Sequence, residues 1–227
     1  MGLETSVECV LFDLDGTLID TAADFIAALR RLSVENNRSP LTDLCVQQTV
    51  SDGARALVKL AFEIEENDDR LTPLNQRLLE LYLEQLANTE ATPYPGILYL
   101  LEQLEKANIP WGIVTNKPEI YSLRLLEKLN LLSRCGVLVC PDHVTERKPH
   151  PEPIFLACDS LSCGTERTVY VGDHIRDIQA AKNADVIAVA AAYGYLSPDA
   201  KVEEWSADFI LRSSEQALPL LNALKFA

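Results

Sequence analysis

Four short apolar runs, over residues 7–12, 109–114, 137–140 and 168–171, and a fifth beginning at Val186 constrain the fold of this chain more than any other feature. None of them alternates apolar with polar residues. Strands of that kind are buried on both faces, as in a parallel sheet covered by helices on two sides. Helical patterns lie between the runs, over residues 97–107, 120–129, 153–161 and 175–184, several opened by Pro or a polar cap residue. Strand and helix in alternation predict an α/β fold. Residues 21–92 break that rhythm: Phe25, Ile26, Leu29 and Leu32 share one helical face, then Leu57, Leu60 and Ala61, then residues 78–86, with no strand among them. The block ends at Pro93-Tyr94-Pro95-Gly96 and reads as an inserted α-helical domain, leaving a sheet core made of residues 1–20 and 93–227.

Charge narrows the partners. The 34 acidic residues against 20 basic ones give a formal net charge of −14, which argues against nucleic acid and against an anionic membrane surface. An anionic ligand must then be drawn in locally, by a metal ion or by a few placed cations. The longest apolar run, residues 186–193, is too short to span a bilayer, and no basic residue precedes the first apolar stretch as in a secretory signal. The expected location is the cytoplasm, with the six cysteines reduced and serving as small core residues. Met1-Gly2-Leu3-Glu4-Thr5-Ser6 matches a myristoylation pattern but lacks a polybasic neighbour. The acidic stretch Glu63, Glu65, Glu66, Asp68 and Asp69 reads as a solvated turn.

Ligands of open α/β sheets bind beyond the carboxyl ends of the strands, and here those ends carry the chemistry. The first run closes in Asp13-Leu14-Asp15-Gly16-Thr17, the second in Thr115-Asn116-Lys117, and the fourth in Gly172-Asp173, with Asp177 one helical turn on and Lys148-Pro149 following the third. In extended chain Asp13 and Asp15 project to the same side, and two carboxylates that close raise each other's pKa unless a cation intervenes. With Asp173 they form a set of hard oxygen donors lacking His or Cys, which suits Mg²⁺. The Thr115 hydroxyl, the N–H groups of the turn after it and the Lys148 ammonium are phosphoryl ligands. Nucleophile, metal site and oxyanion donors together point to phosphoryl transfer on a small phosphorylated metabolite.

In that order these motifs resemble the haloacid dehalogenase superfamily from Val7 to about Ala190, specifically its magnesium-dependent phosphatases with a helical cap after the first motif. The resemblance implies a Rossmann-like core. It implies Asp13 as the nucleophile that forms an aspartyl-phosphate, and Asp15 as the acid for the leaving alkoxide and then the base for water. Mg²⁺ would be held by Asp13, the backbone carbonyl of Asp15 and Asp173, with Asp177 in support. Thr115, Asn116 and Lys148 would bind the phosphoryl group. His174 departs from the pattern, where a small residue or an acid is usual. Asp15 separates the chain from the dehalogenases, which lack that acid.

Within the superfamily the chain looks like the phosphoglycolate phosphatases, and more closely like the branch acting on N-acetylmuramic acid 6-phosphate in cell-wall recycling. That likeness rests on Ser51-Asp52-Gly53-Ala54-Arg55, on Trp111-Gly112-Ile113-Val114-Thr115-Asn116-Lys117-Pro118, and on Val139-Cys140-Pro141-Asp142-His143-Val144-Thr145. Substrate choice would lie in the insert, with Arg55 the candidate contact; the competing reading of Arg55 is an exposed helix arginine paired with an acid. Lys117 and Arg176 would add positive potential or stand as solvated charges. The alternatives to a phosphatase are a β-phosphoglucomutase-type phosphomutase and a non-catalytic module that binds Mg²⁺ or phosphate. A monomer or a homodimer is expected.

Overall fold

The computed structural model describes residues 7–224, so the Met1–Ser6 pattern lies outside the described residues. The sheet strands are β1 (Cys9–Phe12), β4 (Trp111–Val114), β5 (Val137–Val139), β6 (Thr168–Gly172), β7 (Ile187–Ala191) and β8 (Phe209–Leu211). All pair in parallel, in the order β5-β4-β1-β6-β7-β8. The four residues of β1 are fully buried, and they alternate between two cores as the pleat requires. Val10 and Phe12 join Ile113, Val171 and Val189 on one face, while Cys9 and Leu11 join Val114, Tyr170 and Ala188 on the other. This is why the runs do not alternate in polarity.

Helices cover both faces. On the first lie α5 (Ile97–Lys106), α6 (Glu119–Lys128) and α9 (Ala217–Ala223), and on the second α7 (Glu152–Leu161) and α8 (Ile175–Asn183). The edge strand β8 is not predicted by the sequence reading, because three apolar residues after a polar stretch carry no periodic signal. It is held by Asp208, whose N–H donates to the Ala188 carbonyl and whose carboxylate accepts from the Ala188 N–H, both at 2.8 Å.

Between β2 (Ile19–Asp20) and β3 (Thr92–Pro93), which pair antiparallel, the chain forms α1 (Ala22–Glu35), α2 (Asp43–Gln47), α3 (Ala54–Phe62) and α4 (Leu71–Gln85). Phe25, Ala28, Leu29 and Leu32 of α1 and Leu78, Leu81 and Tyr82 of α4 are buried and belong to the same apolar cluster as the first face of the sheet. The buried Asp24 ties the ends of this insert together, accepting from the Glu90 N–H at 2.9 Å and from the Thr89 hydroxyl.

Three local expectations change. Leu60 is exposed and Val58 is buried in its place, because α3 turns its Leu57–Val58–Ala61–Phe62 side to the core. Cys45 is exposed on the short helix α2, unlike Cys9, Cys140 and Cys158, which are buried; all six cysteines are free. Lys117 is buried. In the acidic stretch Glu63, Glu65, Glu66 and Asp69 are exposed, and Glu63 and Glu66 pair with Arg38 and Arg55. Among the described residues no helix is long and apolar enough to cross a membrane.

Because Leu11 is enclosed on its face of the central strand, Leu11→Ala is expected to cost about 2–5 kcal/mol in urea unfolding, with the m-value unchanged. A cost below about 1 kcal/mol would contradict a sheet packed on both sides.

Candidate active site

The sheet order places the ends of β4, β1 and β6 side by side, and four charged groups meet there. Lys148 is almost fully buried. Its ammonium lies 2.9 Å from Asp13 Oδ1, 2.8 Å from Asp177 Oδ1, 2.8 Å from the Val114 carbonyl and 2.7 Å from the Tyr170 hydroxyl. Carboxylate oxygens of Asp13, Asp173 and Asp177 come within 4.8 Å of one another. Asp173 Oδ2 accepts from the Tyr195 N–H and from the Ser51 hydroxyl of the insert, each at 2.9 Å, and Asp177 Oδ2 accepts from the His174 N–H at 3.0 Å.

Three carboxylates against one ammonium leave a formal excess of two negative charges in a buried place. Burial, then the neighbouring carboxylates, push the Asp173 carboxyl well above the usual range. Burial also raises Asp13, with Asp177 and Asp15 adding to it against the pull of Lys148. The ammonium of Lys148 loses hydration, but Asp13 and Asp177 outweigh that loss and hold it protonated. A divalent cation with a preference for oxygen fits this excess in charge and donor type.

Local backbone makes the cluster possible. Gly16 sits at φ +82° in the tight turn after β1, where a Cβ would run into the Asp173 carboxylate and the Tyr195 ring. Gly172 ends β6 against the Asp177 side chain, leaving no room for a larger residue.

Each expected site residue has a definite place. Asp13, Asp173, Asp177 and Lys148 form the cluster. Asp15 stands beside it, with Oδ1 accepting from Lys117 Nζ at 2.8 Å and from the Thr21 hydroxyl at 2.6 Å. Thr115 is buried, and its hydroxyl oxygen accepts from the Lys117 N–H at 3.1 Å. The Asn116 side chain donates to the Lys148 carbonyl at 3.0 Å, while its buried Oδ1 has no partner among the described residues. Arg55 is not brought to the cluster. It is half-exposed on α3, with Nε 2.6 Å from Glu66. Sequence reasoning passed over Tyr170 and Tyr195, which sit in an apolar strand and a loop and are recruited only by the fold, while Ser51, singled out in the sequence only within the segment Ser51–Arg55, is brought to Asp173. Beside Asp173 a cavity of about 360 Å³ opens between insert and core, lined among others by Gln48, Ser51, Tyr195, Lys201 and Trp205.

Residues 10–191 match the family model described as haloacid dehalogenase-like hydrolase. The chain belongs to that family. Over 216 residues, 95% of both chains, it is 40% identical to an N-acetylmuramic acid 6-phosphate phosphatase of Pseudomonas aeruginosa. To a phosphoglycolate phosphatase of Xanthomonas campestris pv. campestris it is 39% identical over 207 residues, 91% of this chain and 93% of that one. The crystal structure of a predicted phosphoglycolate phosphatase from Haemophilus somnus superposes with a TM-score of 0.84 at 24% identity, covering 96% of this chain and 99% of that one, and so shares the fold. With these relatives, the chain is a phosphoric monoester hydrolase of the haloacid dehalogenase-like family.

The charge excess has a measurable consequence for this hydrolase. A carboxyl whose pKa is raised on folding supports the folded state below its ordinary value of 3.8 and withdraws that support as the pH climbs through the raised value. In EDTA, Asp173→Asn is therefore expected to be more stable than the parent by about 1 kcal/mol at neutral pH, with the gap opening as the pH rises above about 4. A parent that equals or exceeds the variant at neutral pH would contradict it.

Proposed function

We propose that this chain hydrolyses the phosphate monoester of an amino-sugar acid, N-acetylmuramic acid 6-phosphate, by transferring the phosphoryl group to Asp13. The observation that carries the reading is the buried cluster at the carboxyl edge of the sheet, in which the Asp13 carboxylate just after β1 meets a buried ammonium and two further carboxylates. Asp13, Asp173 and the backbone carbonyl of Asp15 would hold Mg²⁺, with Asp177 set behind them. Bound there, Mg²⁺ supplies charge neutralisation for the phosphoryl oxygens.

The chain's own groups do the rest. Asp13 attacks phosphorus in line with the ester oxygen, forming the Asp13 O–P bond as the P–O bond to the sugar breaks. The proton needed by the departing alkoxide comes from Asp15, which then takes a proton from the water that attacks phosphorus and frees Asp13. Lys148, kept charged by its two carboxylate neighbours, and the Thr115 hydroxyl, at the end of β4, bind phosphoryl oxygens. Asn116 keeps Lys148 in place by holding its carbonyl.

The cavity between insert and core, which Asp173 lines but Asp13 and Asp15 do not, offers space beside the site for a leaving group. Its volume of about 360 Å³ has room for a sugar bearing hydroxyl and amide groups, and its lining mixes Trp205, Lys201 and Gln48 with the acidic Asp199 and Glu204. The name of the relative at 40% identity supports the amino-sugar phosphate as substrate, with phosphoglycolate, named by the relative at 39%, as its competitor.

Phosphate release with Mg²⁺ tests this reading, comparing N-acetylmuramic acid 6-phosphate with 2-phosphoglycolate by kcat/KM. The amino-sugar phosphate is expected to be preferred by about 10-fold or more, and Asp13→Asn to lower kcat by about 10³-fold or more. Preference for 2-phosphoglycolate would overturn the substrate, and undiminished turnover by Asp13→Asn would overturn the chemistry.

A further inference from the structure

Lys117 is the second buried lysine at the sheet edge, and the chemistry above makes no use of it. Its ammonium is 2.8 Å from Asp15 Oδ1 and 2.7 Å from the Tyr82 hydroxyl, and it lies 4.5 Å and 5.0 Å from the ring centroids of Tyr82 and Phe25. Those two rings stack at 4.0 Å and come from α4 and α1 of the insert. The Lys117 N–H is tied to Thr115, and the Ser122 hydroxyl donates to its carbonyl at 3.3 Å. A lysine so enclosed is costly to bury unless its partners are fixed, and every partner here is fixed.

The decisive detail is at Asp15. Both of its hydrogen bonds, from Lys117 and from Thr21, fall on Oδ1, and Oδ2 takes none from the described residues. One oxygen is tethered and the other is left to react. We propose that Lys117 is a positioning residue that holds Asp15 by Oδ1 so that Oδ2 is presented to the ester oxygen of the leaving group. Because the cage around the ammonium is aromatic surface of the insert, Asp15 is aimed only where insert and core are packed together. The inference rests on the reading of Asp15 as the acid, and it adds a residue whose contribution passes through Asp15 alone.

Leaving-group dependence separates this role from a merely structural one. An alkyl phosphate releases an alkoxide that needs a proton, whereas p-nitrophenyl phosphate releases a stable phenolate that does not. The ratio kcat/KM covers only the steps up to leaving-group release, so hydrolysis of the phosphoenzyme does not enter it. Lys117→Met is expected to lower kcat/KM for the sugar phosphate by about 10²-fold, and for p-nitrophenyl phosphate by less than about 5-fold. In an Asp15→Asn background the same substitution should produce no further selective loss.

Equal losses on both substrates in Lys117→Met, while Asp15→Asn loses selectively, would overturn the role of Lys117 and leave the acid in place. Equal losses in Asp15→Asn would overturn the reading of Asp15 and the inference with it. Should Lys117→Met fail to fold, Tyr82→Phe decides the question, since it keeps the ring and removes only the hydroxyl that anchors the ammonium. A selective loss of several-fold on the sugar phosphate supports the proposal, and no selective loss overturns it.

Discussion

One buried ammonium, Lys148 Nζ, is the interaction on which the rest of this site depends. It links a carboxylate at the end of β1 to one in the first turn of α8, and it reaches the last carbonyl of β4 and the Tyr170 hydroxyl of β6. Three neighbouring strands are thereby drawn to one point. Without the ammonium, Asp13 and Asp177 would face each other and Asp173 across a buried space, a severe penalty at low dielectric. With it, the cluster is still two charges short of neutrality. That excess of negative charge makes the cluster compatible with a divalent cation, which the proposed function places there.

The insert acts on this centre from above. Ser51 donates to Asp173, Asp52 lies 3.3 Å from the His174 ring, and Tyr82 meets Lys117. Each contact joins a residue from 21–92 to a residue at a strand end. Packing of the insert on the core therefore sets the surroundings of two of the aspartates as well as closing the cavity. His174 serves as the N-cap of α8 through Nδ1 and reaches the insert through Nε2. It thus stands at the joint between the two parts.

Much of this was legible in the sequence, for reasons that differ from element to element. The buried strands of the parallel core announce themselves because both faces are apolar, and the polar residues that end them announce themselves by contrast. Residues 9–12 and 168–172 illustrate this, since each run stops at an aspartate that the fold puts to use. The edge strand β8 did not, being three residues long and apolar on no periodic pattern. Lys117 could be seen as a charge near the site, but its burial depends on Phe25 and Tyr82, which are distant in sequence and ordinary as core residues. Arg55 shows the converse: a sequence neighbourhood that looked like a ligand contact places its side chain against Glu66, where the α3 helix turns it outward. Long-range contacts of this kind have no local signature.

In the proposed mechanism Asp13 is the group that receives phosphorus. The measurement that tests it most directly is to quench the enzyme during turnover with Mg²⁺ and substrate, reduce any acyl phosphate with borohydride, and locate the product by peptide mass spectrometry. An aspartyl-phosphate reduced in this way becomes homoserine. Homoserine at position 13, present only when substrate and Mg²⁺ are both supplied, is the result predicted here. Homoserine at another aspartate, or none at position 13 under conditions that trap acyl phosphates while turnover proceeds, would contradict it.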